Sequence, residues 1–245
     1  DNITFGNNGS YNRGMCAVGD YVYMAGRADN DNSATIYLRK FDGKTGEIIS
    51  DIILGDEGKI SYYPCNDVIK DSEDNVCITN LTLNISSTPL KVFMVDLETG
   101  ALTEVASVTY SVLSSTRVDH ASIYGDVATG NFQLYAAVSK SKYVIRWTFV
   151  DGELDDTETC TLQSFYPTSA SVLGIAPVVI PIDGNSMFVA GGNTAFSRYD
   201  FSTGRLTDSF KNNTSLAPTG YEANGGVYFT LNNQKFIVYP YSDYT

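Results

Sequence analysis

The amino-acid sequence predicts an all-β fold made of repeated four-stranded antiparallel sheets, and three observations lead to this prediction. The pattern Asp-x-x-Thr-Gly occurs in FDGKTGEI, VDLETGAL and YDFSTGRL, and its glycines, Gly46, Gly100 and Gly204, are 54 and 104 residues apart. Stretches of alternating apolar and polar residues separate the copies, and no segment has the periodicity of an amphipathic helix. Tyr accounts for 17 of the 245 residues, which is typical of packed strands. The chain therefore contains an internal repeat of about 52 residues, which is typical of solenoids, propellers and arrays.

A fourth copy of the pattern is expected near residue 152, about one period after the second copy. The sequence there is FVDGELDD, which places Asp151 and Gly152 at that point. In the longer copies we expect the Asp carboxylate to accept hydrogen bonds from the amides of a tight turn, while Gly adopts the left-handed conformation that closes a hairpin with a G1-type bulge. Asp151 and Gly152 predict the shorter two-residue hairpin. We interpret the pattern as a turn and not as a functional site.

The second unit illustrates how one repeat predicts four strands. Its predicted segments are 65–71, 75–83, 90–100 with the turn at its end, and 101–111. The corresponding segments of the other units are YVYMAGR, TIYLRKFD and EIISDIIL in the first, FQLYAAVSK, YVIRWTFV and ETCTLQSF in the third, and VVIPI, SMFVAGG, AFSRYDF and RLTDSFK in the fourth. Repeated four-stranded meanders of this length predict a β-propeller, because each twisted sheet buries both faces only against its neighbours in a ring.

The number of blades depends on the two ends of the chain. Four units end near residue 213, and GGVYFTLNN and KFIVYPYS supply only the first two strands of a fifth. The N-terminal DNITF would add one outer strand and close the ring, and one strand would still be missing. We expect a single propeller domain over residues 1–245 with about five blades. Either its last blade is small, or the chain is a piece of a longer protein with more blades.

Two resemblances extend this prediction. Units that end in D-x-x-TG resemble the blades of PQQ-type and related propellers, although the aromatic docking signature of PQQ repeats is absent. The segments YNRGMCAVGDYVYMAGR and ANGGVYFTLNNQKFIVYPYS resemble uncharacterised secreted β-propeller lipoproteins of Bacteroidetes. This second resemblance covers most of the chain. It implies a secreted or cell-surface protein, with a lipid anchor on a removed N-terminal segment as one form of attachment, that handles glycans or mediates adhesion. It supplies no active-site residues.

Charge and hydropathy limit the partners. The net charge of −12 and the pI near 4.4 repel a phosphate backbone, and the longest basic cluster, KSK at 140–142, is typical of a solvated turn. We therefore expect no nucleic-acid partner. No stretch approaches the roughly 18 apolar residues of a membrane helix, and the first ten residues do not have the pattern of a signal peptide. The chain begins after any targeting segment, or never had one.

The four cysteines allow two interpretations. Cys16, Cys65, Cys77 and Cys160 have no CxxC spacing, so a zinc site is not expected. Cys65 and Cys77 flank the turn-forming KDSEDN and are expected on adjacent strands. A cross-strand disulfide and two buried thiols are both compatible with that arrangement, and the buried thiols are favoured.

One loop has the composition of a calcium site. ADNDNSAT at 28–35 offers Asp29, Asn30 and Asp31, but it lacks the glycine and the terminal Glu of an EF-hand loop. We therefore favour a solvated loop there, and we predict neither a metal site nor a cofactor.

Ligand-binding residues are expected on the loops between blades. In a propeller these loops, with those between second and third strands, form one face around the central channel, where ligands usually bind. The five loops are SYNR, SYYPCN, SSTRVDH, SFYPTS and TGYEAN, and four of them place Tyr where an innermost strand begins. The candidate ligand-binding residues are Tyr11, Arg13, Tyr63, Asn66, Asp67, Arg117, Asp119, His120, Tyr166, Tyr221 and Glu222.

These residue types suit sugars, whose C–H faces stack on aromatic rings while their hydroxyls take forked hydrogen bonds. Each Tyr also has a packing interpretation, because Tyr-Pro recurs at 63/64 and 166/167, about two periods apart, where a ring would fill the gap between blades. Arg13 and Arg117 at the channel rim must find an anion or another acceptor. Pairing with Asp67 or Asp119 would satisfy either of them without any ligand.

Catalysis has weaker support. A Ser-His-Asp triad or a two-histidine metal site needs histidine, and the chain has only His120. Its neighbour Asp119 is expected on the opposite face of the strand, so the two do not form a dyad. Asp67, Asp119 and Glu222 are the carboxylates that converge on the loop face and suit glycoside chemistry.

The sequence thus favours an extracellular or surface-tethered module that binds carbohydrate or another extracellular polymer through the interblade-loop face. Two alternatives remain open. One is a polysaccharide-active hydrolase or lyase that uses the carboxylates of the same face. The other is a scaffold for protein adhesion, with a surface protein as its partner.

Overall fold

The computed structural model describes residues 12–28, 34–59, 63–111, 117–166, 168–192, 194–209, 226–231 and 233–238. Blade 1 contains β1 (Asn12–Val18), β2 (Tyr21–Arg27), β3 (Ile36–Asp42) and β4 (Ile48–Ile53), and blade 2 contains β5 (Asp67–Lys70), β6 (Val76–Thr79), β7 (Leu90–Val95) and β8 (Leu102–Val108). Blade 3 contains β9 (Ala121–Asp126), β10 (Asn131–Ala137), β11 (Tyr143–Val150) and β12 (Glu153–Thr161). Blade 4 contains β13 (Val178–Pro181), β14 (Ser186–Gly191), β15 (Thr194–Asp200) and β16 (Leu206–Ser209), and a two-stranded sheet follows with β17 (Val227–Leu231) and β18 (Gln234–Val238).

The predicted all-β propeller of four-stranded antiparallel blades is confirmed. Each blade pairs its strands in chain order, and the first strand of each blade packs beside the first strand of the next, from β1 through β5 and β9 to β13. The described residues form four complete blades and the two-stranded sheet, so the expected count of about five agrees only loosely. The predicted closing strand DNITF lies outside the described residues. No helix in the described ranges has the length and apolarity that a membrane crossing requires.

The hydrophobic core lies between the blades. Trp147 is fully buried in the cluster between blades 2 and 3, where the rings of Phe132 and Phe149 stack at 4.5 Å between centroids. A second cluster joins blades 1 and 2. Tyr135 and Met187 belong to a third cluster, between blades 3 and 4. Blades 2, 3 and 4 therefore use both faces for packing, as the repeat predicts.

Several strands differ from the sequence prediction. The segments predicted for the first and third units include none that corresponds to the innermost strands β1 and β9. β12 begins five residues before the predicted ETCTLQSF, because its first half is acidic and exposed at the outer edge of blade 3. β6 ends at Thr79, although the prediction extends to residue 83. It ends there because Asn80 donates a side-chain hydrogen bond to the carbonyl of Pro89 at 3.0 Å and Thr82 donates one to Thr88 at 2.8 Å.

The Asp-x-x-Thr-Gly copies are turns, as the sequence predicts. The Asp42 carboxylate accepts hydrogen bonds from the amides of Lys44 and Thr45, both at 2.8 Å, and Gly46 has φ 73°. In blade 2 the Asp96 carboxylate repeats this geometry with the amides of Glu98 and Thr99. In blade 4 the Asp200 carboxylate accepts from the Thr203 amide, whereas the Ser202 amide donates to the side chain of Asn185. The loop of blade 3 is the shorter form, with φ 49° at Asp151 and 84° at Gly152.

Two of these turns also join blades. The carbonyl of Gly100 accepts a hydrogen bond from Gly55 at 3.0 Å, and that of Gly204 accepts one from Gln163 at 2.9 Å. A Cβ on Gly100 would lie 2.1 Å from the carbonyl oxygen of Ile53, and one on Gly204 would lie 1.9 Å from that of Thr161. Each glycine therefore lets a hairpin turn approach the end of the outermost strand of the preceding blade.

The turn carboxylates make the stability of the fold sensitive to acid. Hydrogen bonds from the Thr203 and Ser202 hydroxyls and from the Thr203 amide lower the pKa of Asp200 to about 2. A carboxyl whose pKa is lower in the folded chain stabilises the fold above its unfolded pKa of about 3.9, and this contribution is lost as the pH falls toward 2. We expect Asp200→Ala to be less stable than the wild type at pH 7, with a difference that narrows below about pH 4. Thermal denaturation over a pH series measures it, and a difference that stays constant in acid would contradict the assignment.

The cysteines are free thiols. Cys77 faces Ile69 in the antiparallel register of β5 and β6, so Cys65 lies four residues along from the position opposite Cys77. Cys65 also packs in the cluster between blades 1 and 2, whereas Cys77 packs in the cluster between blades 2 and 3, so the two thiols lie on opposite faces of blade 2 and no disulfide joins them. The buried-thiol interpretation is therefore confirmed for Cys65 and Cys77.

Burial raises the pKa of Cys65 and Cys160 to about 12 and raises the pKa of Cys77 further. The thiolate is the reactive form, so these three thiols should resist alkylation at pH 8 in the folded protein. All four cysteines should be alkylated after denaturation without a reductant. Mass spectrometry counts the adducts. Rapid labelling of the folded protein at these three cysteines, or fewer than four labels after denaturation, would contradict this arrangement.

Candidate functional site: the interblade-loop face

The loops that carry the candidate residues lie at one end of the blades. Within each blade the strands alternate in direction, so the loops between blades share an end with those between second and third strands. The hairpin turns lie at the other end, where the amide of Gly43 in one turn of blade 1 donates to the carbonyl of Asp20 in the other at 2.8 Å. We call the end with the loops between blades the interblade-loop face.

Asp67 and His120 form a pair between blades 2 and 3. Asp67 is the first residue of β5, and His120 immediately precedes β9. The distance between His120 Nδ1 and Asp67 Oδ2 is 2.9 Å, and the two residues are only 1% and 4% exposed. Both residues are predicted from the sequence as ligand-binding residues, but their contact with each other is not predicted. Their separation of 53 residues, about one repeat, is the signal that could have indicated it.

Asp119 and Arg117 form a second pair. The Arg117 Nε lies 2.8 Å from Asp119 Oδ2 and 3.1 Å from Oδ1, and its Nη2 also bonds to Oδ1. The Ser139 hydroxyl donates to Asp119 Oδ2 at 3.0 Å. Asp119 and His120 thus have different partners, as strand alternation predicts. The Asp119 side chain is fully buried, whereas that of Arg117 is 35% exposed.

Asn66 connects the two pairs. Its side-chain amide donates to the main-chain carbonyl of Asp119 at 2.9 Å. The amide of Ala176 in turn donates to the Ser139 hydroxyl at 3.2 Å, which ties blade 4 to the same group. The resulting interblade polar network consists of Asn66, Asp67, Arg117, Asp119, His120 and Ser139.

Four candidate ligand-binding residues are buried in this network: Asn66, Asp67, Asp119 and His120. Each of them is hydrogen-bonded within the protein, so their observed contacts join neighbouring blades at the interblade-loop face. Direct contact with a ligand therefore falls to the more exposed side chains of the face.

Tyr63 is a half-buried aromatic residue on this face. Its backbone is left-handed, with φ 66°, and Cys65 is left-handed as well, with φ 46°. The guanidinium of the buried Arg27 lies 5.6 Å from the centroid of the Tyr63 ring and donates a long hydrogen bond, 3.4 Å, to the carbonyl of Pro64. Left-handed residues other than glycine cost about 1–3 kcal/mol each and persist where the surroundings hold them. The loop around Tyr63 is therefore held in place by its contacts.

The remaining candidates are less completely described. Tyr166 is half-buried, and its carbonyl accepts a hydrogen bond from the amide of Ala195 at 2.9 Å. The description of Arg13 is confined to its backbone in β1. The following lie outside the described residues: Tyr11, Tyr221, Glu222, Pro167, and Asp29, Asn30 and Asp31 of the loop that is predicted to be solvated. Within the described part of the chain, no group of three His, Cys, Asp or Glu residues could hold a metal ion.

No family model and no curated protein matches the sequence. Among solved structures, a DUF4623 family protein from Bacteroides eggerthii aligns with 94% of this chain and 50% of its own, at a TM-score of 0.67 and 16% identity. A glutaminyl cyclase from Myxococcus xanthus aligns with 94% of this chain and 86% of its own, at a TM-score of 0.48 and 12% identity. A Synechocystis apocarotenoid oxygenase mutant aligns with 89% and 52%, at a TM-score of 0.47 and 10% identity. The first likeness shows the fold, and this chain spans half the length of that structure.

Proposed function

We propose that this chain is a module that binds carbohydrate or another extracellular polymer on the interblade-loop face. The observation that carries the proposal is the half-buried Tyr63 ring, which lies in a constrained left-handed loop beside the buried guanidinium of Arg27. An aromatic face suits the C–H surface of a sugar ring. A ring that is already ordered loses little conformational entropy on binding, which favours affinity.

Arg117 complements the ring as a polar contact. Its guanidinium reaches the same face of the propeller, and bonds to the buried carboxylate of Asp119 fix its orientation. A planar group with fixed N–H donors recognises hydroxyl and carboxylate oxygens directionally. Tyr63 and Arg117 therefore combine the apolar and polar contacts that sugar recognition needs.

The proposal places the protein outside the cell or on its surface. This part rests on the resemblance of the sequence to secreted Bacteroidetes propellers. Fractionation of the native host, with an antibody against the chain, tests it. Recovery in the cytosolic fraction alone would contradict it.

The geometry favours binding over hydrolysis or lyase chemistry. Those reactions need accessible carboxylates, and Asp67 and Asp119 are buried against His120 and Arg117. The remaining alternative is an adhesion scaffold. Binding to a protein partner without binding to any glycan would distinguish the scaffold from a carbohydrate-binding module.

A glycan-array screen of the purified chain tests the proposed function. The expected result is selective binding to a group of related glycans, with at least a tenfold loss of affinity in Tyr63→Ala and in Arg117→Ala, about 1.4 kcal/mol. Circular dichroism of each variant checks that the fold is retained. An array on which the folded wild type binds nothing would overturn the carbohydrate proposal and favour the scaffold.

A further inference from the structure

Two polar side-chain atoms at the joint between blades 2 and 3 have no hydrogen-bond partner among the described residues. They are Asn66 Oδ1 and Thr79 Oγ1. Both residues are buried, with exposures of 0% and 1%. Buried polar atoms in folded proteins almost always have a partner in the protein or in ordered water. Two such atoms in neighbouring residues therefore indicate a shared partner other than the protein groups of the described residues.

The orientation of the Asn66 amide is fixed by its contacts. Its Nδ2 donates to the main-chain carbonyl of Asp119 at 2.9 Å. Rotating the amide by half a turn would bring Oδ1 against that carbonyl oxygen, so two acceptors would face each other. Oδ1 therefore needs a donor from elsewhere.

Thr79 brings its hydroxyl to the same joint. The main-chain amide of Asn66 donates to the carbonyl of Thr79 at 2.7 Å, so the two residues are direct neighbours. Alternate residues of a strand share a face, and Cys77, two residues before Thr79, packs in the core between blades 2 and 3. The Thr79 side chain thus points toward blade 3, as the Asn66 amide does.

We propose that an internal water molecule binds between blades 2 and 3, near the interblade-loop face, and bridges Asn66 Oδ1 and Thr79 Oγ1. Internal waters bind where two to four polar partners line the site, and they are costly to remove. Asp67, which is paired with Thr79 in the strand register, makes the surroundings polar. The water donates one hydrogen to Asn66 Oδ1 and forms its second hydrogen bond with the Thr79 hydroxyl. The site is independent of glycan binding, since it lies in the buried joint.

The substitution Thr79→Val tests the site because it keeps the shape and the β-branching of the side chain and removes only the hydroxyl. If a water bridges the two atoms, Thr79→Val breaks the bridge and lowers the melting temperature by several degrees. If the hydroxyl is dry, removing an unsatisfied polar group raises the melting temperature. Thr79→Ser, which retains the hydroxyl, is the matched control and should keep the water.

A direct readout accompanies the stability measurement. Magnetic relaxation dispersion of water counts long-lived internal waters, and we expect one fewer in Thr79→Val and no change in Thr79→Ser. A crystal structure of the wild type should show a water within hydrogen-bond distance of both atoms. A higher melting temperature in Thr79→Val, an unchanged count of internal waters, or a protein donor on Asn66 Oδ1 would overturn the proposal.

Discussion

Gly100→Ala should destabilise the fold by about 2–5 kcal/mol, which makes it one of the two most damaging substitutions that we predict. Alanine at φ 76° costs about 1–2 kcal/mol. The added Cβ would also lie 2.1 Å from the carbonyl oxygen of Ile53, a backbone atom that cannot move without opening the joint between blades 1 and 2. Overpacking of this kind typically costs about 1–3 kcal/mol. Urea denaturation, followed by the fluorescence of Trp147, measures the change in the free energy of unfolding.

Gly152→Ala is the matched control for this prediction. Gly152 has φ 84° in an equivalent hairpin, but a Cβ there would meet no atom within 4 Å. Only the conformational cost of about 1–2 kcal/mol is therefore expected. Gly204→Ala, whose Cβ would lie 1.9 Å from the Thr161 carbonyl oxygen, should behave like Gly100→Ala. Equal losses in all three variants would mean that the turns do not serve as contacts between blades.

His120→Ala should destabilise the fold by about 3–5 kcal/mol, because it removes the partner of the buried Asp67 carboxylate. A buried carboxyl group left without its hydrogen-bond partner costs more than the net stabilisation that the pair provides. The hydrogen bond also links blades 2 and 3, so the damage should appear directly at Trp147 in the cluster between those blades. Urea denaturation with tryptophan fluorescence is again the measurement.

The double variant Asp67→Asn/His120→Ala separates the charge from the packing. It lacks the buried carboxylate, so it should be more stable than His120→Ala alone, by at least about 1 kcal/mol. A double variant that is as unstable as the sum of the two single variants would show that the two residues act independently. The interaction between Asp67 and His120 would then not stabilise the joint between blades 2 and 3.

Local turn chemistry explains why much of the fold is predictable from the sequence. Asp42 and Gly46 satisfy their hydrogen bonds and backbone conformation within one turn, so a short pattern is enough to identify them. The start of β12 is harder to predict. Its acidic first half pairs with β11 on one edge and is exposed to solvent, so it lacks the alternation of apolar and polar residues that marks a half-buried strand. The additional contact of Gly100 with blade 1 has no local signal at all, since it depends on how two sheets are placed.

The interblade-loop face is predictable in its location and only partly in its contacts. Tyr63 and Arg117 are selected by residue type, and both lie at least partly exposed at the predicted end of the blades. Asp67 and His120 are selected for the same reason, but they face each other across a joint that forms only when two repeats pack. The alternation pattern of one strand predicts the face of the sheet on which a side chain lies. It does not predict which carboxylate of the next blade that side chain contacts. The Arg27 guanidinium beside the Tyr63 ring belongs to the same class of contact.

The affinity of one glycan for Tyr63→Ala, compared with Tyr21→Ala, tests most directly whether the ligand binds on the interblade-loop face. Tyr21 is 38% exposed and begins β2 at the opposite end of blade 1, next to the hairpin turns, so it is a control of the same residue type. Calorimetric titration with the strongest binder from the array gives both values. We expect at least a tenfold loss in Tyr63→Ala and an unchanged affinity in Tyr21→Ala. An unchanged affinity in Tyr63→Ala, or a loss confined to Tyr21→Ala, would place the ligand elsewhere and contradict the proposed site.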